Sequence, residues 1–143
     1  MDSRSKHIEL KRKEADSQFK KGTKALSTGL LKWSPDHLGA SLYFESAAKA
    51  YKEIGNDIMA KDALIKYAIS SEKTDSLSCA ADGFTQAAFL ENDPSKSEEM
   101  LRKAQELYLI DGKGERGLMN LKQYAKQMME EYENSDNEDK NKL

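Results

Sequence analysis

Ala40, Phe44, Ala47 and Ala48 recur forty residues further along the chain as Ala80, Phe84, Ala87 and Ala88. Helices that repeat their small and aromatic positions at a fixed interval stack on their neighbours instead of surrounding one centre, so this period predicts an α-solenoid. A third, worn copy follows. Tyr124 and Met128 stand a further forty residues beyond Phe84 and Ala88, while Asn120 and Gln127 occupy the alanine positions. Paired alanines let neighbouring helices approach closely, and Phe44, Tyr51, Phe84 and Tyr108 fill the space between pairs, a TPR-like packing with a longer repeat.

Five interruptions punctuate the chain, at 29–34, 55–57, 73–75, 91–94 and 112–114, and Gly, Pro, Asn and Asp in such clusters end helices. Six helices follow. Ser34-Pro35 and Asp93-Pro94 each place a capping oxygen ahead of a proline whose missing N–H costs nothing at the first helical position. Between the breaks, apolar residues return every three or four positions: Ile8, Ala15, Phe19 and Leu26, then Leu38, Leu42, Ala47, Tyr51 and Ile54. The third and fourth segments are apolar on more than one face, as sandwiched helices are. Leu118, Leu121, Tyr124, Ala125, Met128, Met129 and Tyr132 mark the sixth. The expected fold is all-α, a TPR-like right-handed α-solenoid of about six antiparallel helices in three pairs over residues 1–133. Residues 134–143 carry no apolar side chain before Leu143 and are expected to form a disordered acidic tail.

Composition narrows the function. A charged fraction of 34% with two prolines and one cysteine suits a helical chain with no internal disulfide, and no N-terminal apolar run suggests a secretory signal or a membrane span. A cytoplasmic location is expected. Residues 1–33 hold nine Lys/Arg against four Asp/Glu, and residues 130–143 hold six acids against two lysines. Attraction to anionic partners therefore belongs near the N-terminus. Lys11-Arg12-Lys13 and Lys20-Lys21 are interleaved with Glu9, Glu14 and Asp16 and lack an aromatic platform, which argues against nucleic acid. His7, His37 and Cys79 are too scattered to ligate a metal or to form a nucleophile–base pair, and Cys79 reads as a small core residue. Gly112-Lys113-Gly114 lacks the strand and the Lys-Ser/Thr of a phosphate loop. No enzyme, cofactor or metal is expected.

The stretch Thr28-Gly29-Leu30-Leu31-Lys32-Trp33-Ser34-Pro35-Asp36 resembles the segment joining the first two helices of the soluble NSF attachment proteins, gamma-SNAP in particular. The similarity continues through Ala40, Tyr43, Ala47-Ala48, Ala60-Lys61-Asp62-Ala63, Ala80-Ala81, Phe84, Lys103-Ala104, Tyr108-Leu109 and Met119. What the resemblance implies is an adaptor in vesicle transport and membrane fusion, peripherally bound to membranes, that lies along a SNARE complex of syntaxin-type helices. In that family a C-terminal bundle recruits the ATPase NSF; it has no counterpart here, so a fragment or truncated product without NSF recruitment is expected. Leu30, Leu31, Lys32 and Trp33 would be the membrane-attachment loop, with Trp33 folded back on the first helix pair as the alternative. Lys66, Lys73, Lys103, Lys122 and Lys126 are candidates for contact with the acidic SNARE bundle. The runner-up function is a generic TPR-like scaffold that binds a peptide in its groove.

Overall fold

A computed structural model describes residues 2–142 and contains six helices: α1 (Ser3–Leu26), α2 (His37–Glu53), α3 (Asp57–Lys73), α4 (Leu77–Leu90), α5 (Pro94–Ile110) and α6 (Gly114–Asn141). Each packs on its successor, α1 on α2 through α5 on α6, the sequential TPR-like arrangement that the repeat demands.

Local chemistry sets the boundaries. The carboxylate of Asp2 accepts from Ser5 N at 2.7 Å, and the side chains of Asn56 and Asp93 accept from Met59 N at 3.1 Å and Ser95 N at 3.0 Å. Pro94 opens α5 as expected. At α2 the expected Ser34-Pro35 start gives way to Asp36, whose carboxylate accepts from Gly39 N at 2.8 Å. The ends of α2, α3 and α5 share one turn: Asn56 N, Ser76 N and Lys113 N donate back to Tyr51 O, Ser71 O and Tyr108 O at 2.9, 2.9 and 2.7 Å. The residue before each donor is left-handed, at φ 75° for Gly55, 59° for Asp75 and 74° for Gly112. Glycine reaches that region without strain, which is why two of the three turns use it.

Between helices the core is built mostly of alanine. Ala47, Ala48, Ala60, Ala63, Ala68, Ala80, Ala81, Ala87, Ala88 and Ala104 are all buried, with Phe44, Tyr51, Leu64, Leu101, Leu107 and Tyr108 filling the gaps. Crossings are tight enough that a Cβ on Gly83 would lie 3.0 Å from the Ala68 methyl and from Tyr67 Cδ1. Phe19 meets Phe44 edge-on at 5.3 Å, and Tyr51 donates across to Asp16 at 2.6 Å. Ser97, fully buried, donates to Ala88 O at 3.0 Å and so stitches α5 to the end of α4.

Three expectations are corrected. Leu38 and Leu42, counted in the buried stripe of α2, face solvent, because the buried side of the helix is formed by Ala40, Ser41, Phe44, Ala47, Ala48, Ala50 and Tyr51. Cys79 is exposed, lying outside the alanine seam of Ala80 and Ala81. The tail expected to be disordered from residue 134 is helical through Asn141, where an i,i+4 pair, Lys140 to Asp136 at 2.9 Å, supports the last turns. Leu143, the final residue of that expected tail, lies outside the described residues.

Candidate functional site

Four residues of α5, Glu98, Leu101, Arg102 and Gln105, fall at positions i, i+3, i+4 and i+7, and so share one helix face. Leu121, Tyr124, Ala125 and Met128 have the same spacing on α6. The two faces border one open groove of about 570 Å³, apolar except at its Glu98, Arg102 and Gln105 edge.

Residue identity explains why the groove is open. At the three alanine positions of the third repeat, α6 carries Asn120, Gln127 and Met128, all too large to enter an alanine seam. Asn120 fastens the helix by a polar route: its amide donates to the Tyr108 hydroxyl at 3.3 Å, and that hydroxyl donates to Asp82. Arg116 lies 3.5 Å from the same carboxylate. Burial, helped by the bond to Asp82, pushes the Tyr108 phenol up to about 12. Close approach occurs at Gly117, the only buried residue of α6, where a Cβ would collide with the Gln105 amide and come within 3.1 Å of the Tyr108 ring. Further along, Tyr124 rests edge-on against Phe89 of α4 at 5.8 Å. Beyond Met128, every described residue of α6 is exposed.

Charge divides α6 in the middle. From Gly114 to Gln127 it carries Arg116, Lys122 and Lys126 against Glu115; from Met128 onward it carries Glu130, Glu131, Glu133, Asp136, Glu138 and Asp139 against Lys140. An apolar groove leading to an acidic helical extension matches a helix with one apolar and one basic face. Sequence reasoning did not single out this groove. The signal was the worn third repeat, because losing its alanines means losing close packing.

A second surface depression, about 520 Å³ over Leu64 and Tyr67, is rimmed by Glu45, Lys49, Lys52, Glu53, Asp82 and Gln86. Its charges are of both signs and partly paired: Lys52 reaches Gln86 at 3.3 Å and Glu53 holds Lys11 at 2.9 Å. Burial raises the Tyr67 phenol above its usual range, so it stays neutral and offers no base there. No helix among the described residues is long and apolar enough to cross a membrane.

The four loop residues come together in a tight hairpin. Gly29 N donates to Lys32 O at 2.8 Å and Lys32 N to Gly29 O at 3.2 Å, so Leu30 and Leu31 form the tip. Lys32 turns back and donates to Ala25 O at the end of α1, where Asp36 N also donates at 2.9 Å. Leu30, Leu31 and Trp33 are 99%, 99% and 91% exposed. Trp33 therefore does not close the first helix pair. The five lysines are spread over α3, α5 and α6. Lys66 pairs with Asp62 at 3.3 Å and Lys103 with Glu72 at 2.9 Å, while Lys73, Lys122 and Lys126 are exposed.

Residues 3–134 match the family described as the plant specific mitochondrial import receptor subunit TOM20. That match runs through all five inter-helix turns and most of α6, and it overturns the SNAP resemblance, whose specific part was the short loop around Lys32-Trp33; the recurrent alanines are what any close-packed helical repeat needs. SNARE bundles and NSF as partners, vesicle fusion as the process and a cytoplasmic site of action are withdrawn with it. The chain is a non-enzymatic member of the plant mitochondrial import receptor subunit TOM20 family.

Proposed function

We propose that this chain is a peptide receptor at the mitochondrial surface, and that the groove between α5 and α6 receives one amphipathic, basic helix. The family description supplies the setting, and the groove is the single observation that carries the reading. Mitochondrial targeting segments are amphipathic, rich in Arg and poor in acids. Such a helix would lay its apolar face between Leu101 and Leu121–Met128 and turn its basic face to the acids beyond Met128, the helix-in-groove mode. Scaffold peptide binding thus replaces SNARE binding. In this reading, the helices form a right-handed solenoid of three pairs whose last pair is left ajar.

Each apolar side chain fully buried in the groove contributes about 1.5–3 kcal/mol, and association entropy offsets much of the total. The complex should therefore be transient. A fluorescent amphipathic Arg-rich peptide should bind with an affinity that falls as salt rises, while a scrambled peptide of the same composition should bind at least tenfold more weakly. Equal binding of both would reduce the interaction to charge attraction and refute the groove.

The hairpin fits the same setting. Leu30, Leu31 and Trp33 follow the C-terminal half of α1, which carries Lys20, Lys21 and Lys24, a combination suited to the headgroup region of an anionic membrane. Leu30→Ser/Leu31→Ser should weaken binding to anionic liposomes more than tenfold without shifting Tm. Unchanged liposome binding would remove the hairpin from the membrane.

A further inference from the structure

We propose that the cleft between α1 and α3, far along the chain from the α5–α6 groove, docks an acidic amphipathic segment of a partner protein. Both helices pack on α2, and two open depressions lie between them. The larger, about 550 Å³, has Phe19, Tyr51 and Met59 as its apolar lining and Lys20 and Lys24 as its cations. The smaller, about 290 Å³, is lined by Leu26, Phe44 and Ile69 together with His37 and Lys66. Thr23 borders both. The cleft follows the chain from Asp16 to Ser27, roughly 16 Å by the rise of an α-helix, which suits about three turns of a docked helix.

Charge selects the occupant. No acid occurs between Ser17 and Pro35, and the acids at the cleft are already engaged. Asp16 accepts from the Tyr51 hydroxyl at 2.6 Å and pairs with Arg12 at 3.2 Å, and on α3 Asp62 pairs with Lys66 at 3.3 Å. The ion pairs of α1 among the described residues engage Lys11 and Arg12, so Lys20 and Lys24 are left over. His37 adds an independent mark, since its Nδ1 is buried without a hydrogen-bond partner, and a partner's side-chain oxygen seated in the smaller depression would pair with it. An apolar floor bordered by unpaired lysines complements a helix that carries leucines on one face and glutamates beside them. A basic targeting helix is repelled by the same lysines. The inference therefore stands on this cleft and not on the proposed peptide function of the α5–α6 groove.

The test is the binding of a fluorescent helical peptide of Leu, Ala and Glu, with its leucines at steps of three and four, to the full chain, beside the same peptide with every Glu replaced by Gln. The Glu peptide should bind at least tenfold more tightly, and the difference should shrink as salt rises. Lys20→Glu/Lys24→Glu should weaken the Glu peptide at least tenfold. Arg4→Glu/Lys21→Glu, the same charge change at two positions of α1 that do not line the cleft, should weaken it less than threefold. Thr23→Phe, which fills the cleft where the depressions meet and leaves the charge unchanged, should also weaken it at least tenfold. All five positions are exposed, so an unchanged Tm accompanies these results and separates lost docking from lost folding. No binding of the Glu peptide, equal losses in the two charge variants, or undiminished affinity in Thr23→Phe overturns the proposal. So does self-association of the chain in place of peptide binding, abolished by Lys20→Glu/Lys24→Glu, which would make the occupant a second copy. Loss of anionic liposome binding in that variant, with no peptide bound by the wild-type chain, would give the lysines to the membrane and overturn it equally.

Discussion

The stack from α2 to α5 and the last helix α6 are built on the same repeat and differ in how they close. In the stack, every helix from α2 to α5 buries alanine against its neighbours, and larger side chains fill what remains; in α6 one glycine is buried and the apolar side chains border an open groove. The substitutions Asn120 and Gln127 at alanine positions account for the difference. The same helical pattern serves stability where small residues let it close and, in the function proposed above, recognition where polar ones hold it ajar.

That contrast is breakable by mutation. Phe44 is fully buried and packed edge-on against Phe19, so Phe44→Ala should cost about 3–5 kcal/mol by leaving a cavity, read as a lower urea midpoint and Tm. A loss under about 1 kcal/mol, the scale of an exposed change, would show that the stack is looser than its burial implies.

Alkaline titration probes the junction of the two regions. Tyr108 is held neutral in the fold up to about 12, whereas an unfolded tyrosine ionises near pH 10. The raised value means its contribution is complete below about pH 10 and is lost as pH climbs through about 12, amounting to about 2–3 kcal/mol. Tyr51 and Tyr67 are raised by burial in the same sense. Urea midpoints should fall over this window in the wild-type chain and fall less in Tyr108→Phe. Identical slopes in both proteins would detach Tyr108 from the effect.

The smallest effect belongs to α6. Met129 is 65% exposed, and Met129→Ser should change unfolding free energy by no more than about 0.5 kcal/mol. A loss of core size there would mean that α6 is as much a part of the stack as α3.

Much of this architecture was legible from residues. Gly55, Gly112 and Asp93-Pro94 announce helix ends because their backbone preferences leave few alternatives, and the forty-residue period pairs α2 with α4. Other features depend on contacts that only the fold supplies. Leu42 has the period of a buried residue but lies on the outer side of the Phe44 seam. Acidic residues after Glu133 read as disorder by composition, yet they are competent in a helix already started, with ion pairs such as Lys140–Asp136 one turn apart. The groove hid in a negative signal, the repeat's three alanines replaced by Asn120, Gln127 and Met128. The hairpin misled in a different way: a short run around Trp33 can coincide between families, and only a match over most of the chain outweighs it.

The direct measurement of the central claim is the affinity of one amphipathic basic peptide for the wild-type chain and for Leu121→Ser/Met128→Ser, with Tm recorded on the same samples. Both side chains line the groove and neither belongs to the buried core. The account predicts that the double substitution weakens peptide binding by more than tenfold, about 1.4 kcal/mol or more, while Tm stays near the wild-type value. Undiminished affinity in the double variant would contradict it and remove the α5–α6 groove as the receptor site.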